Sequence, residues 1–113
     1  MISQIEKILK IFADQNRIRI FKLLEKRKMC VCELAYVLGV TQPSISRHLK
    51  KMKSVGLVKD EQDGFWTNYY LARNFAQTQK IMQCVSHWLK DDGTIKSDAH
   101  KLKKVDRTKV CCR

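Results

Sequence analysis

The chain's only proline, Pro43, stands four residues after Gly39 and two after Thr41, and this punctuation constrains the fold more than any other feature. Ahead of it, Val31, Leu34 and Leu38 share one face of a short helix over VCELAYVL, and Gly39 tolerates the left-handed backbone that ends helices. Thr41 can then cap a second helix whose first turn accepts a proline, because the N–H that proline lacks would have no partner there. Placing Ile45, Leu49, Met52 and Val55 against a core leaves Pro43, Arg47, Lys50 and Ser54 opposite, with Ser44, Ser46 and Lys51 on the shoulders. Two short helices joined at such a turn make a helix-turn-helix, whose second helix enters the major groove of DNA with its first turns leading. Gln42, Ser44, Ser46 and Arg47 can reach base edges, whereas His48, Lys50 and Lys51 suit phosphates, which need only donors and positive charge.

The flanking patterns extend this unit. Ile2, Ile5, Leu9 and Phe12 recur at helical spacing, and a second run follows in which Ile18, Phe21 and Leu24 share a face widened by Ile20 and Leu23. Asp14 suits the start of that second helix, and Lys26, Arg27 and Lys28 suit its end near Lys28. After Gly56, LVKDEQDGFWTNYYLA reads as two strands around a polar turn at Gln62, Asp63 and Gly64, a hairpin or wing, with Trp66 and Tyr69 assigned to packing within it. From Asn74 to Lys90, Phe75, Met82, Val85 and Leu89, flanked by Ile81 and Trp88, predict a long fifth helix. Beyond Asp91, Asp92 and Gly93 the periodicity fades into a lysine-rich tail ending in Cys111, Cys112 and Arg113, whose low hydrophobicity predicts local disorder. The expected fold is mainly α with a small β-hairpin, in the order α-α-α-α-β-β-α, over residues 1–90, followed by a basic, flexible tail at 91–113. The first and fifth helices carry more apolar surface than one such domain covers from within, which predicts a homodimer.

Charge narrows the partner. The 113 residues, 44% hydrophobic, suffice for one modest core, and 23 Lys and Arg against 11 Asp and Glu leave a formal charge of +12. Such a surplus attracts polyanions, and nucleic acid comes first. No run approaches the ~18 apolar residues of a spanning helix, and no basic helix has a marked Trp or Phe face, so a membrane is not an expected partner. The opening MISQIEKILKIF, charged every few residues, does not read as a secretion signal, which places the chain in the cytoplasm as an expectation. No nucleophile triad, phosphate-cradling glycine loop or carboxylate pair can be assembled, and His48, His87 and His100 sit in unrelated elements, so an enzyme is not expected.

Five cysteines in a reducing compartment are better candidates for metal binding, redox response or packing than for structural disulfides. Cys30 and Cys32 open the third helix, where neighbours two apart point roughly 200° away from each other. Bringing both sulfurs onto one thiophilic ion would unwind the first turn of the helix that supports the recognition helix. Soft thiolates select soft or borderline ions, and the cations Arg27 and Lys28 with the helix N-terminus favour the thiolate form. Equally, the pair reads as two small half-buried residues with no ligand role. Cys84, beside Val85, reads as packing.

Over residues 1 to 90 the chain resembles the ArsR/SmtB family of repressors, through FADQNRIRIFKLL, MCVCELAYVLGVTQPSISRHLKKMKSVGLV and DGFWTNYYL, in order and in spacing. The resemblance implies a homodimer joined by its first and last helices, repression in the free state, and release of operator double-stranded DNA on inducer binding. The family's DNA-touching positions correspond to Gln42, Ser46 and Arg47. It also favours Cys30 and Cys32 as ligands of arsenite or antimonite, with Cd, Pb or Zn, or a Cys30–Cys32 or Cys111–Cys112 bond formed by oxidants, as alternative signals. Family members that use three thiolates from this helix place the third where Ala35 stands, so either two suffice or Cys111 and Cys112 complete the site. The family's dimer-helix metal motif is mostly missing, since His87 has Val85 two residues before it and Asp98 eleven after. A chromosome-coating protein indifferent to sequence is the competing class, and its sign would be affinity set by salt alone.

Overall fold

Asp14 separates the first two helices. Its carboxylate accepts from the N–H groups of Asn16 and Arg17 at 2.9 and 3.2 Å and so caps α2 (Gln15–Lys26). The Arg17 side chain turns back to close α1 (Ile2–Ile11), donating to the carbonyls of Ile11 and Lys10 at 2.9 and 3.1 Å. The computed structural model describes residues 1–73 and 76–110, the side chains of 76–78 excepted. Helix α2 stops at Lys26, two residues earlier than its basic run suggests, because Arg27 is already extended and Met29 pairs with the wing.

Helices α3 (Val31–Leu38) and α4 (Gln42–Ser54) follow, hinged on Gly39 at φ +72° and capped at Thr41, whose hydroxyl accepts from the Ser44 N–H at 3.3 Å. Strands β1 (Val58–Asp63) and β2 (Trp66–Leu71) pair antiparallel with Asp63 opposite Trp66, leaving a two-residue loop that begins at Gly64 with φ +61°. Helix α5 spans Ala76–Leu89. Asn74 and Phe75, expected at its start, lie outside the described residues.

The core is where the apolar stripes meet. Ile20 and Phe21 of α2, Leu34 of α3, Ile45, Leu49 and Met52 of α4, and Leu57 before β1 are essentially inaccessible to solvent. Each such side chain stabilises the fold by about 1.5 to 3 kcal/mol through burial. This core fixes the angle between α3 and α4, and therefore which face of α4 reaches solvent.

The chain after Asp92 departs from expectation, forming two further helices. Asp92 caps α6 (Gly93–Leu102) by accepting from the Ile95 N–H at 3.1 Å, and α7 (Arg107–Val110) follows. Leu102 is buried, and the nearly covered Asp98 carboxylate takes a two-pronged bond from Arg19 at 2.8 and 2.9 Å. Lys101 lies over the Tyr36 ring at 4.9 Å, so α6 rests on α2 and α3. Low mean hydropathy conceals these helices because their attachments are ionic and cationic more than apolar. Among the described residues no helix is long and apolar enough to cross a membrane.

Candidate DNA-reading surface and thiol turn

On α4 the division of faces is as the spacing predicts. Ile45, Leu49 and Met52 are buried and Val55 is half-buried, while Gln42, Ser46, Arg47, Lys50 and Lys51 are exposed and Ser44 and His48 half-buried. The exposed groups combine hydrogen-bonding side chains in the first turn with cations in the next two, a surface able to meet base edges and phosphates together. His48 is held below its usual value of 6.5 by burial, and the neighbouring Arg17, Lys51 and Arg47 act in the same direction against the pull of Asp14. The wing is fastened beside this helix by Lys53, 2.9 Å from Asp60 on β1, and Lys28 reaches Glu61 at 2.6 Å from the end of α2.

The thiol turn lies at the N-terminus of α3. Cys30 is the N-cap residue, with extended backbone at φ −88° and ψ 169°, and is buried; Cys32 is in the first helical turn and half-buried. Only one of the two cysteines is therefore helical. The extended conformation persists through Cys30 because Met29 exchanges both backbone hydrogen bonds with Tyr69 of β2. A change in the relative position of the two sulfurs thus falls on the cap joining wing and helix, not on a regular helical pair.

Glu33 organises this cap. Its Oε1 accepts from the Cys30 N–H at 3.1 Å in a capping box, while Arg107 donates to Oε1 at 2.9 Å and Arg27 to Oε2 at 2.9 Å. Burial alone would push this carboxyl up, yet the Cys30 N–H and the two guanidinium groups together bring it below its usual value. The cations expected beside the thiols are thus engaged by carboxylates, Arg27 by Glu33 and Lys28 by Glu61. Among the described residues no three His, Cys, Asp or Glu side chains come together as a metal-holding group. Two soft donors at Cys30 and Cys32 suit a soft ion but leave it short of a third sulfur. Cys111 and Cys112 lie outside the described residues, and the chain reaches them four and five positions after Arg107, which is bonded at the cap. Cys84 is exposed on α5.

Five residues of this region escape a reading of motifs. Glu33 is signalled by its place three residues after the cap, the capping-box spacing. Asp98 and Leu102 are foreshadowed by Asp92 followed by Ile95 and Ala99 at helical intervals. For Asn68 and Arg107, which meet across 39 positions of chain, the sequence holds no local signal.

A family model described as a bacterial regulatory protein of the arsR family matches residues 14–60. The chain is 34% identical to the arsenic resistance transcriptional regulator ArsR2 of Pseudomonas putida over 115 residues, covering 93% of this chain and 95% of that protein. With the arsenical resistance operon repressor of Escherichia coli K12 it shares 42% identity over 67 residues, 58% of this chain and 57% of that one. In fold it is similar to the homodimeric winged helix-turn-helix DNA-binding domain Mb0332 of Mycobacterium bovis, with a TM-score of 0.69 at 23% identity over 81% of this chain and 83% of that domain.

Proposed function

The chain belongs to the arsR family of bacterial regulatory proteins and is a DNA-binding transcriptional repressor, not an enzyme; we propose that it acts as a homodimer that leaves its operator when Cys30 and Cys32 capture arsenite or antimonite. The carrying observation is the position of Cys30, between a residue hydrogen-bonded into the wing and the helix that supports α4. The two sequence relatives named above are regulators of arsenic or arsenical resistance, which favours this inducer over Cd, Pb, Zn or an oxidant.

The parts divide as follows. Gln42, Ser44, Ser46 and Arg47 read bases, and His48, Lys50 and Lys51 hold phosphates. Ile2 and Leu9 of α1 and Trp88 of α5 are large apolar side chains left in solvent by the single chain, and a second copy covers them. The inducer supplies a soft centre that prefers thiolate sulfur to oxygen. To meet on it, Cys30 and Cys32 rotate towards each other, Glu33 loses its bond to the Cys30 N–H, and the first turn of α3 loosens beneath α4. In this proposal Cys111 and Cys112, four and five positions after Arg107 in the chain, supply the third sulfur.

Titration of operator-bound protein with arsenite, antimonite, Cd, Pb, Zn and peroxide in parallel tests this reading. Cys30→Ser and Cys32→Ser should each bind operator as the parent does and fail to release it with arsenite, since serine keeps the size but offers a hard oxygen. The double variant Cys111→Ser, Cys112→Ser should need more arsenite for release. Release that persists when both Cys30 and Cys32 are serine would overturn the site, and release by peroxide or Cd but not arsenite would replace the inducer.

A further inference from the structure

We propose that Arg107 is the positioning residue through which the thiol turn governs the wing, an inference that rests on Cys30 and Cys32 being the inducer site. One guanidinium here touches three separate elements. It donates to Glu33 Oε1 from Nε and Nη2 at 3.2 and 2.9 Å, and Nη2 also donates to Asn68 Oδ1 on β2. Nη1 stands 3.6 Å from Asp63 at the end of β1, and the guanidinium carbon lies 4.9 Å from the centre of the Trp66 ring. The Glu33 and Asn68 side chains it bridges are both buried, so neither has water as a ready substitute.

Helix α7 buries none of its own residues, so these polar contacts, with the half-buried Val105 packed on the core just before it, hold it in place. Glu33 is also the capping group of Cys30. Any rearrangement that brings the Cys30 and Cys32 sulfurs together moves Glu33, and Arg107 must then give up either Glu33 or the wing. Arginine suits this task because its rigid planar fork holds a carboxylate and an amide oxygen in a fixed mutual geometry, which the freely rotating ammonium of a lysine does not impose. A residue serving only to pin the C-terminal segment would alter stability alone. A coupling residue alters how the wing answers the inducer.

Trp66 reports on this directly. The chain has two tryptophans, so in a Trp88→Phe background Trp66 is the sole emitter. Arsenite should change its emission in that protein and leave it unchanged when Cys30 and Cys32 are both serine. Adding Arg107→Gln should give the arsenite-loaded emission without arsenite, abolish further change, and weaken operator binding by about two- to thirtyfold. Sulfur–arsenic absorbance in the ultraviolet should still rise in that variant. Asn68→Ala should produce a similar loss of operator affinity, and the double variant no more than either alone, since both cut one connection. Arg107→Lys, which keeps the charge but not the fork, guards against a glutamine variant that does not fold and should show a reduced emission response. A full response in either Arg107 variant, additive losses with Asn68→Ala, or absorbance that rises in the parent while Trp66 emission stays still, would each overturn the coupling role. Absence of the absorbance change in the parent would instead remove the thiol site, and this inference with it.

Discussion

Met29 and Tyr69 exchange both of their backbone hydrogen bonds, at 3.2 and 2.8 Å, which makes the residue before Cys30 part of the wing's sheet. Antiparallel pairs of this kind fix the backbone on both sides, so Cys30 inherits an extended conformation and α3 can begin only after it. The thiol turn, the wing and the helix beneath the recognition helix are therefore joined by consecutive residues. Lys53 to Asp60 and Lys28 to Glu61 brace the same hairpin from the side of α4 and the end of α2. Exposed pairs like these contribute little to stability, but they restrict the wing's position.

Arg47→Ala should weaken operator binding by about 1 to 3 kcal/mol and relax sequence preference, because a contact to a base edge carries both effects. Lys51→Ala should lower affinity on every sequence and reduce the salt slope by about one unit, as expected of a phosphate contact. Binding isotherms on operator and random DNA at several salt concentrations separate the two. Equal losses on both DNAs for Arg47→Ala would make it a phosphate contact as well.

Asp98→Ala should destabilise the folded chain by about 3 kcal/mol, since it leaves the partly covered Arg19 guanidinium without either of its carboxylate bonds. The melting temperature should fall by roughly 10 °C or more for a chain of this size. Asp98→Asn, keeping shape and one acceptor, should lose less. A change below about 0.5 kcal/mol for the alanine variant, within the range of surface pairs, would mean that α6 contributes little to the fold.

The helices, hairpin and recognition face were legible because each rests on a local rule: Thr41 and Asp14 cap, Gly39 and Gly64 take positive φ, and Ile45, Leu49 and Met52 keep one period. Cys30 and Cys32 were legible as a pair, but their geometry was not, since the extended backbone at Cys30 comes from pairing with Tyr69, some forty positions away. The attachments of the C-terminal helices were hidden for a related reason. Asp98 meets Arg19 across 79 positions and Arg107 meets Glu33 across 74, and ion pairs at such separations leave no periodic trace.

Leu9→Glu should convert the proposed homodimer to a monomer, because it places a charge on the apolar stripe that α1 leaves in solvent at Ile2 and Leu9, beside the half-buried Ile5. Sedimentation velocity at micromolar concentration would show it, with circular dichroism confirming that the fold survives. Operator affinity should drop with the dimer, since two half-sites are then no longer bound as one unit. A parent that sediments as a monomer would overturn the dimer, and a Leu9→Glu variant that stays dimeric would place the interface elsewhere.

Operator affinity should rise as the pH falls from 8 to 6, and His48 should account for most of that rise. In the free protein burial holds this imidazole below its usual 6.5, with Arg17, Lys51 and Arg47 adding to the effect and Asp14 opposing it, so it is mainly neutral at pH 7. A DNA phosphate beside it would favour the cation and raise its value in the complex. Binding then takes up a proton over the interval between the two values, and each pH unit lowered within that interval tightens binding by up to about tenfold. The sign for folding is opposite. Because the folded protein binds the proton less readily than the unfolded chain, His48 costs stability as the pH drops from 6.5 towards its folded value. Binding isotherms at constant salt for the parent and His48→Gln test the pair of statements, with urea unfolding of both proteins over the same range. The glutamine variant should show a flatter dependence in each. An equal pH dependence of operator binding in parent and variant would leave His48 neutral in the complex and remove it from the phosphate contacts.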